Sequence, residues 1–431
     1  MSKAALSGKY AAYPEYKDSG VEWLGEMPSH WSMTKMAWNF KAEKGKNGQL
    51  LTKDYCGLNL GPFAVYSGQT ENDGVMGRIN SFEFDTGNDG VLFATTVGAK
   101  AMHLSHLTGK FSLSQNCMII APKSDSYHVR FSFYHFQPLF YYERGLIPEH
   151  MQASFRMEDL YQYQTALPTV EEQQKIANFL DHETAKIDTL IEKQQQLIKL
   201  LKEKRQAVIS HAVTKGLPSA TGSKAPMRDS GVEWLGEVPE HWEVQRLKFA
   251  CSFITKKIDI GSSKTIALEN IESWTGKYIS TDAKYSGEDV GFETGDILFG
   301  KLRPYLAKVY LAAGQGVAFG DLLTYRPKNK LLSTYCFYQL INEAFINTVD
   351  SSTYGSKMPR ASADFINNMS ILLPPLEEQE EIAAYILNTL NKFDNVENKA
   401  KSAIKLMQER RTALISAAVT GKIDVRNWKA V

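Results

Sequence analysis

The sequence predicts an α+β chain of two similar halves, each a mixed domain joined to one very long helix. Three observations lead there. A turn-rich motif holding two tryptophans occurs twice. A long helical pattern also occurs twice, 206 residues apart. Between motif and helix, each half carries short apolar runs of strand character.

The first helical pattern opens at Leu167-Pro168-Thr169-Val170-Glu171-Glu172-Gln173 and meets no Pro or Gly until Gly216. Pro168 stops the preceding element, and Glu171 and Glu172 suit the positive end of a helix dipole. Apolar residues at Ile176, Leu180, Ile187, Leu190, Leu197, Leu201 and Val208 recur at helical spacing and form one face. Gln194 and Lys204 interrupt it, and a polar seam residue can fix register. At about 1.5 Å per residue the helix spans roughly 60 Å. No small core needs that length, so a second long helix is expected against it. That helix opens at Leu373-Pro374-Pro375-Leu376-Glu377-Glu378-Gln379, with seam residues Ile382, Ile386, Phe393, Val396, Met407 and Leu414.

The turn-rich motif is Asp18-Ser19-Gly20-Val21-Glu22-Trp23-Leu24-Gly25-Glu26-Met27-Pro28-Ser29-His30-Trp31, and it returns at 229–242 with two changes. Its Trp, Leu, Gly and Pro content reads as a packing clasp. The expected organisation follows. Residues 1–166 hold the motif and a first variable domain, 167–215 the first helix, and 216–228 a linker rich in Gly, Pro and Ser. Residues 229–372 hold the second motif and variable domain, 373–422 the second helix, and 423–431 a tail. Strands are expected at Gly90-Val91-Leu92-Phe93-Ala94, Cys117-Met118-Ile119-Ile120-Ala121 and Asp296-Ile297-Leu298-Phe299, and a buried aromatic helix over 131–142. The aligned strands imply one scaffold used twice. The loops differ, which implies two different objects of recognition.

Composition is that of a globular protein, 43% hydrophobic and 23% charged, with net charge +1. A membrane span and a signal peptide are not expected, and four scattered cysteines (Cys56, Cys117, Cys251, Cys336) argue against a disulfide framework. A cytoplasmic location fits. If the partner is a polyanion, local basic patches must bind it. Catalytic signatures are missing: no phosphate loop, no nucleophile elbow, no zinc helix and no amino-methyltransferase site around Pro374-Pro375. His103 and His106 read as loop residues before a metal pair. No catalytic residue and no metal site is assigned.

Two stretches of the second domain mix cations, small residues and turn formers: Phe299-Gly300-Lys301-Leu302-Arg303-Pro304-Tyr305 and Tyr354-Gly355-Ser356-Lys357-Met358-Pro359-Arg360. Gly lets backbone approach a phosphate, Lys neutralises it, and Arg can grip guanine with two hydrogen bonds. The DNA-contact candidates there are Lys301, Arg303, Tyr305, Ser356, Lys357 and Arg360. In the first domain they are Gln69, Thr70, Arg78, Lys100, Lys110 and Arg156, the last within 152–156.

The duplicated Ser-Gly-Val-Glu-Trp-Leu-Gly-Glu…Pro…His-Trp motif and the Leu-Pro…Glu-Glu-Gln before each helix carry a resemblance. So do the two cationic stretches and Thr420-Gly421-Lys422-Ile423-Asp424. The chain resembles the specificity subunits of Type I restriction-modification systems along essentially its whole length. The resemblance implies two target recognition domains, each reading half of a split, asymmetric site on double-stranded DNA. It implies an antiparallel two-helix coiled coil as the spacer between them. It also implies two modification subunits that use S-adenosylmethionine to methylate adenine N6. Two restriction subunits would use ATP and Mg, with no cofactor on this chain. The alternatives are a stand-alone DNA-modifying enzyme and a coiled-coil protein scaffold without DNA specificity.

Overall fold

The computed structural model describes residues 10–69, 71–148, 150–217, 226–260 and 264–430. Contacts divide the chain into two units, Met1–Gln194 with Ser402–Val431, and Gln195–Lys401. Each unit therefore takes part of both long helices.

In the first unit the motif forms a small clasp. Tyr16–Asp18 pairs antiparallel with Glu26–Pro28, and Trp31 is fully buried beneath it. Ser32–Lys35 then pairs with Gln164–Leu167, bringing the domain's two ends together at the start of the helix. Between those ends lies an antiparallel sheet in the order Phe40–Glu43, Cys117–Pro122, Val91–Thr95, Leu104–Leu107. The expected strands are present. Val91–Thr95 is buried at every position, as a run of apolar residues with no polar alternation requires. The helix Val129–Gly145 buries Phe131, Tyr134, Phe136, Leu139 and Phe140. A second sheet runs Val75–Ile79, Leu60–Tyr66, Lys110–Leu113, Phe84–Asp85.

The second unit repeats this plan. Met227–Asp229 pairs with Glu237–Pro239 over buried Trp242, and Glu243–Arg246 pairs with Ser370–Leu373. The main sheet runs Cys251–Ile254, Leu322–Pro327, Ile297–Gly300, Val309–Leu311, in the same order and sense as in the first unit. The smaller sheets differ at their edges. Both contain a parallel pair, Leu60–Tyr66 with Lys110–Leu113 and Thr265–Ile266 with Gly316–Ala318. The first adds Val75–Ile79 beside the parallel pair, whereas the second adds Lys257–Asp259 at the opposite edge.

The long helices are Val170–Lys215 and Leu376–Val419. In the first unit Ile176, Leu180 and Ile187 share a core with Leu414, Ile415 and Val419. In the second, Ile209, Ala212 and Val213 share one with Ile382, Ile386 and Leu390. Early residues of one helix meet late residues of the other in both units, so the pairing is antiparallel. Asp188 accepts from Arg411 Nε at 2.9 Å, and Asp394 pairs with Arg205. These residues are related by the 206-residue shift, so one ion pair is used twice.

The expected seam needs correction at two positions. Leu190 is 49% exposed and Val396 41% exposed. The residues that pack inside are Thr184, six before Leu190, the partly buried Ile191, one after it, and Ala400, four after Val396. Leu180, Ile187, Gln194, Leu201 and Val208 keep one heptad row, but the alternating row runs through Thr184, Ile191, Ile198 and Arg205. Two of its members are polar, which hid it. Leu197 is only half-buried, and Lys204 is exposed while Arg205 is buried.

The range set aside as a linker begins at Gly216, a buried helix cap with φ of 77°, and its last residues belong to the strand Met227–Asp229. Residues 218–225 lie outside the described part. The range set aside as a tail contains Ile423 and Val425, both 1% exposed in the first unit's core. Asp424 N–H donates to the Ala11 carbonyl at 2.7 Å.

The Glu-Glu-Gln signature has a structural reading. Gln173 is fully buried, donates to the Pro168 and Ser126 carbonyls and accepts from His128 N–H at 2.8 Å. Gln379 donates to the Pro374 and Lys330 carbonyls and accepts from Leu332 N–H at 2.8 Å. Each amide satisfies three backbone groups that burial would otherwise leave costly. The preceding glutamates bind the clasp: Glu172 contacts His30 Nε2 at 3.0 Å, and Glu378 contacts His241 Nε2 at 2.8 Å.

Candidate nucleic-acid interface

The main sheet of each unit ends in a hairpin whose connection meets the segment before the last short helix. In the second unit, strands Ile297–Gly300 and Val309–Leu311 are joined by residues 301–308. Arg303 and Ala307 adopt left-handed backbone angles, φ 51° and 47°, around the turn Pro304–Leu306. Non-glycine residues reach this region at some cost, and surrounding bonds must hold them there. Those bonds are present. Arg303 N–H donates to the Pro359 carbonyl at 2.7 Å, and Ala361 N–H to the Lys301 carbonyl at 2.9 Å. Tyr354 and Arg360 exchange backbone bonds at 3.2 and 3.0 Å.

The structure thus brings the two cationic stretches into one surface. Arg303 Nη2 donates to the Lys357 carbonyl at 3.3 Å. Arg360 Nε and Nη2 donate to the two carboxylate oxygens of Asp321 at 3.2 and 3.1 Å. Lys301 Nζ lies 3.7 Å from the same carboxylate. The hydrogen bond to Asp321 raises the Arg360 guanidinium above its already high ordinary pKa. Ser356 and Lys357 are exposed, and so are Tyr305, Tyr354 and Met358 around them. Cations beside exposed aromatic rings suit a phosphate-lined, base-bearing ligand.

The first unit uses the same backbone. Gly98 N–H donates to the Ala153 carbonyl at 3.0 Å, and Phe155 N–H to the Thr96 carbonyl at 2.7 Å. Thr96 N–H donates to the Asn116 carbonyl as Lys301 N–H does to Asp321, both at 2.9 Å. Gly98, φ 90°, takes the left-handed place of Arg303. The structure brings together Lys100 on the hairpin connection and the 152–156 segment, with Lys100 and Arg156 both exposed. Beside the hairpin a cleft of about 390 Å³ is lined by Lys100, Gln137, Tyr141, Arg144 and Arg411.

Three first-domain candidates lie elsewhere, on the smaller sheet. Gln69 Nε2 donates to the Val75 carbonyl and Arg78 Nη1 to the Pro62 carbonyl, both at 2.8 Å. Lys110 lies 3.9 Å from Asp85 and 4.5 Å above the Phe82 ring. These side chains already serve the loops that carry them. Thr70 lies outside the described residues. His106 lies in the strand Leu104–Leu107 and not in a loop, and its Nε2–H donates to the Asp89 carbonyl at 2.9 Å.

Sequence reasoning missed Asp321, on which the second-unit cations converge, and its counterpart Asn116. Both stand one residue before aligned strands, at a turn. That position was the available signal. Among the described residues no group of three or more His, Cys, Asp or Glu is placed to hold a metal ion. None of the described helices is long and apolar enough to cross a membrane.

Comparison with known proteins places these features in context. Residues 40–200 and 239–406 match the Type I restriction modification DNA specificity domain. The chain is 26% identical over 385 residues to the Type I restriction enzyme EcoDI specificity subunit of Escherichia coli, covering 82% of each chain. It is 24% identical over 279 residues to the MjaVIII specificity subunit of Methanocaldococcus jannaschii, covering 61% of this chain and 62% of the other. A solved structure described under complex assembly and conformational transition of the type I R-M system shares the fold. Its TM-score is 0.65 at 14% identity, covering 91% of this chain and 98% of that one.

Proposed function

Because the chain belongs to the Type I restriction-modification DNA specificity family, we propose that it reads a bipartite, asymmetric site on double-stranded DNA, one half per unit. It is a recognition subunit and not itself the catalyst; it acts with methyltransferase and restriction subunits. In the fuller reading, two modification subunits methylate adenine N6 with S-adenosylmethionine, and two restriction subunits supply ATP- and Mg-dependent cleavage. The complex works in the cytoplasm.

One observation carries the bipartite reading. The two units hold the same hairpin on the same backbone bonds, yet dress it with different side chains. A common scaffold with unlike surfaces suits two unlike half-sites. Net charge of +1 is compatible, because the cations gather locally on the hairpins.

The test is genome-wide mapping of N6-methyladenine in cells with and without this chain. A bipartite motif should appear only with it. Exchanging residues 243–372 for the corresponding range of another specificity subunit should change one half of the motif and keep the other. Loss of no motif, or change of both halves, refutes the assignment.

A further inference from the structure

The hairpins differ where three segments converge. In the second unit the converging side chains are Lys301, Asp321 and Arg360; at the matching backbone positions the first unit has Thr96, Asn116 and Ser154. The backbone match is close: the Leu302–Arg360 bridge corresponds to Val97–Ser154. So an ionic trio on one scaffold corresponds to a neutral trio on the other.

The geometry at Asp321 is specific. Its carboxylate takes the Nε edge of Arg360, using Nε and Nη2. A guanidinium has five N–H donors. Side-on pairing uses two, leaving the end-on pair of Nη1 and Nη2 hydrogens. That is the fork that fits guanine O6 and N7. The carboxylate also holds the guanidinium plane still, so less freedom is lost when a base is met. Forty per cent of the Arg360 side chain remains exposed, whereas Asp321 is 23% exposed. The arginine is at the surface and the aspartate behind it.

Resting on the function proposed above, we infer that Arg360 reads a guanine in the half-site of the second unit and that Asp321 is its positioning residue. Lys301 shares the carboxylate and stands beside the fork, where it meets the adjoining phosphate. The first unit has no fork at this place and reads its half-site without an equivalent guanine contact. Lys357, exposed and next to the fork, contributes charge without base preference.

The experiment uses the full chain produced with its modification subunits, and reads the methylated motif by sequencing. The variants are Asp321→Asn, Arg360→Lys and, for comparison, Lys357→Ala. The 243–372 exchange identifies which half-site belongs to the second unit. The wild type should require one G·C pair there, with substitution of that pair lowering methylation about tenfold or more. Asp321→Asn keeps the side-chain shape, and Arg360→Lys keeps the charge; both should relax that same pair and leave every other position unchanged. Lys357→Ala should lower methylation evenly across sequences. An unchanged motif in both Asp321→Asn and Arg360→Lys overturns the inference, as does an even loss across all positions. A wild-type complex that methylates no bipartite site overturns the functional reading itself, and this inference with it.

Discussion

His135 ties the aromatic helix of the first unit to the end of the second long helix. It is fully buried, its Nδ1 2.9 Å from the Val419 carbonyl, and it stacks on Phe131. Burial pushes its pKa down to about 4, with the Val419 bond opposing. An unfolded chain binds that proton near the ordinary histidine value of about 6.5. Between those two values the unfolded state holds more protons than the folded one, so stability rises with pH. It is complete above about 6.5 and falls on acidification towards 4, by roughly 3 kcal/mol. Melting curves of the wild type should show that loss, and His135→Gln, though weaker at neutral pH, should lose less of its melting temperature across the window. An equally steep fall in the variant would refute the assignment. Residue roles of this kind were poorly legible in the sequence. Repetition singled out Gln173 and Gln379, but their partners are backbone groups of a loop some forty-five to fifty residues earlier. Lys301 and Arg360 were visible as cations; that both lean on Asp321 depends on strand pairing.

At the level of the element, the paired helices were readable in existence and extent and misread in register. The apolar pattern favoured Leu190 and Val396 because each is large and aliphatic at a plausible heptad interval. The true row passes instead through Thr184 and Arg205, and its polar members gave no hydrophobic signal. Thr184 satisfies its hydroxyl on the Leu180 carbonyl at 2.6 Å, and Arg205 pairs with Asp394. Burial alone would raise the Asp394 carboxyl, but Lys277 and Arg205 outweigh it and hold it below its usual range. The corrected register predicts unequal costs for similar truncations. Ile187→Ala should destabilise the chain by about 2–4 kcal/mol, and Leu190→Ala by under about 0.5 kcal/mol. Chemical denaturation of the two variants checks this; equal losses would restore the earlier register. The smaller sheets were not legible at all, since their edge strands Val75–Ile79 and Lys257–Asp259 lack matching sequence.

For the whole molecule, the two long helices are the elements that both units share. Asp188–Arg411 and Arg205–Asp394 lie on one antiparallel register, so a change in one helix must be matched in the other. Deleting seven residues around Gln194 together with seven around Lys405 keeps the seam on one face. With such a variant in place of the wild type, the modification subunits should methylate the same two half-sites at a shorter separation, read by the same sequencing. An unaltered separation would refute the spacer role. The division of the chain also has a consequence for how the protein is made. All of Gln195–Lys401 is synthesised before residues 402–431. The segments of the second unit are therefore complete first, whereas the first unit keeps Ala177, Phe179 and Leu180 uncovered until Leu414, Ile415 and Val419 arrive. Half of the protein is finished by its final stretch, and a nascent chain cut short there would offer chaperones and proteases a raw apolar face.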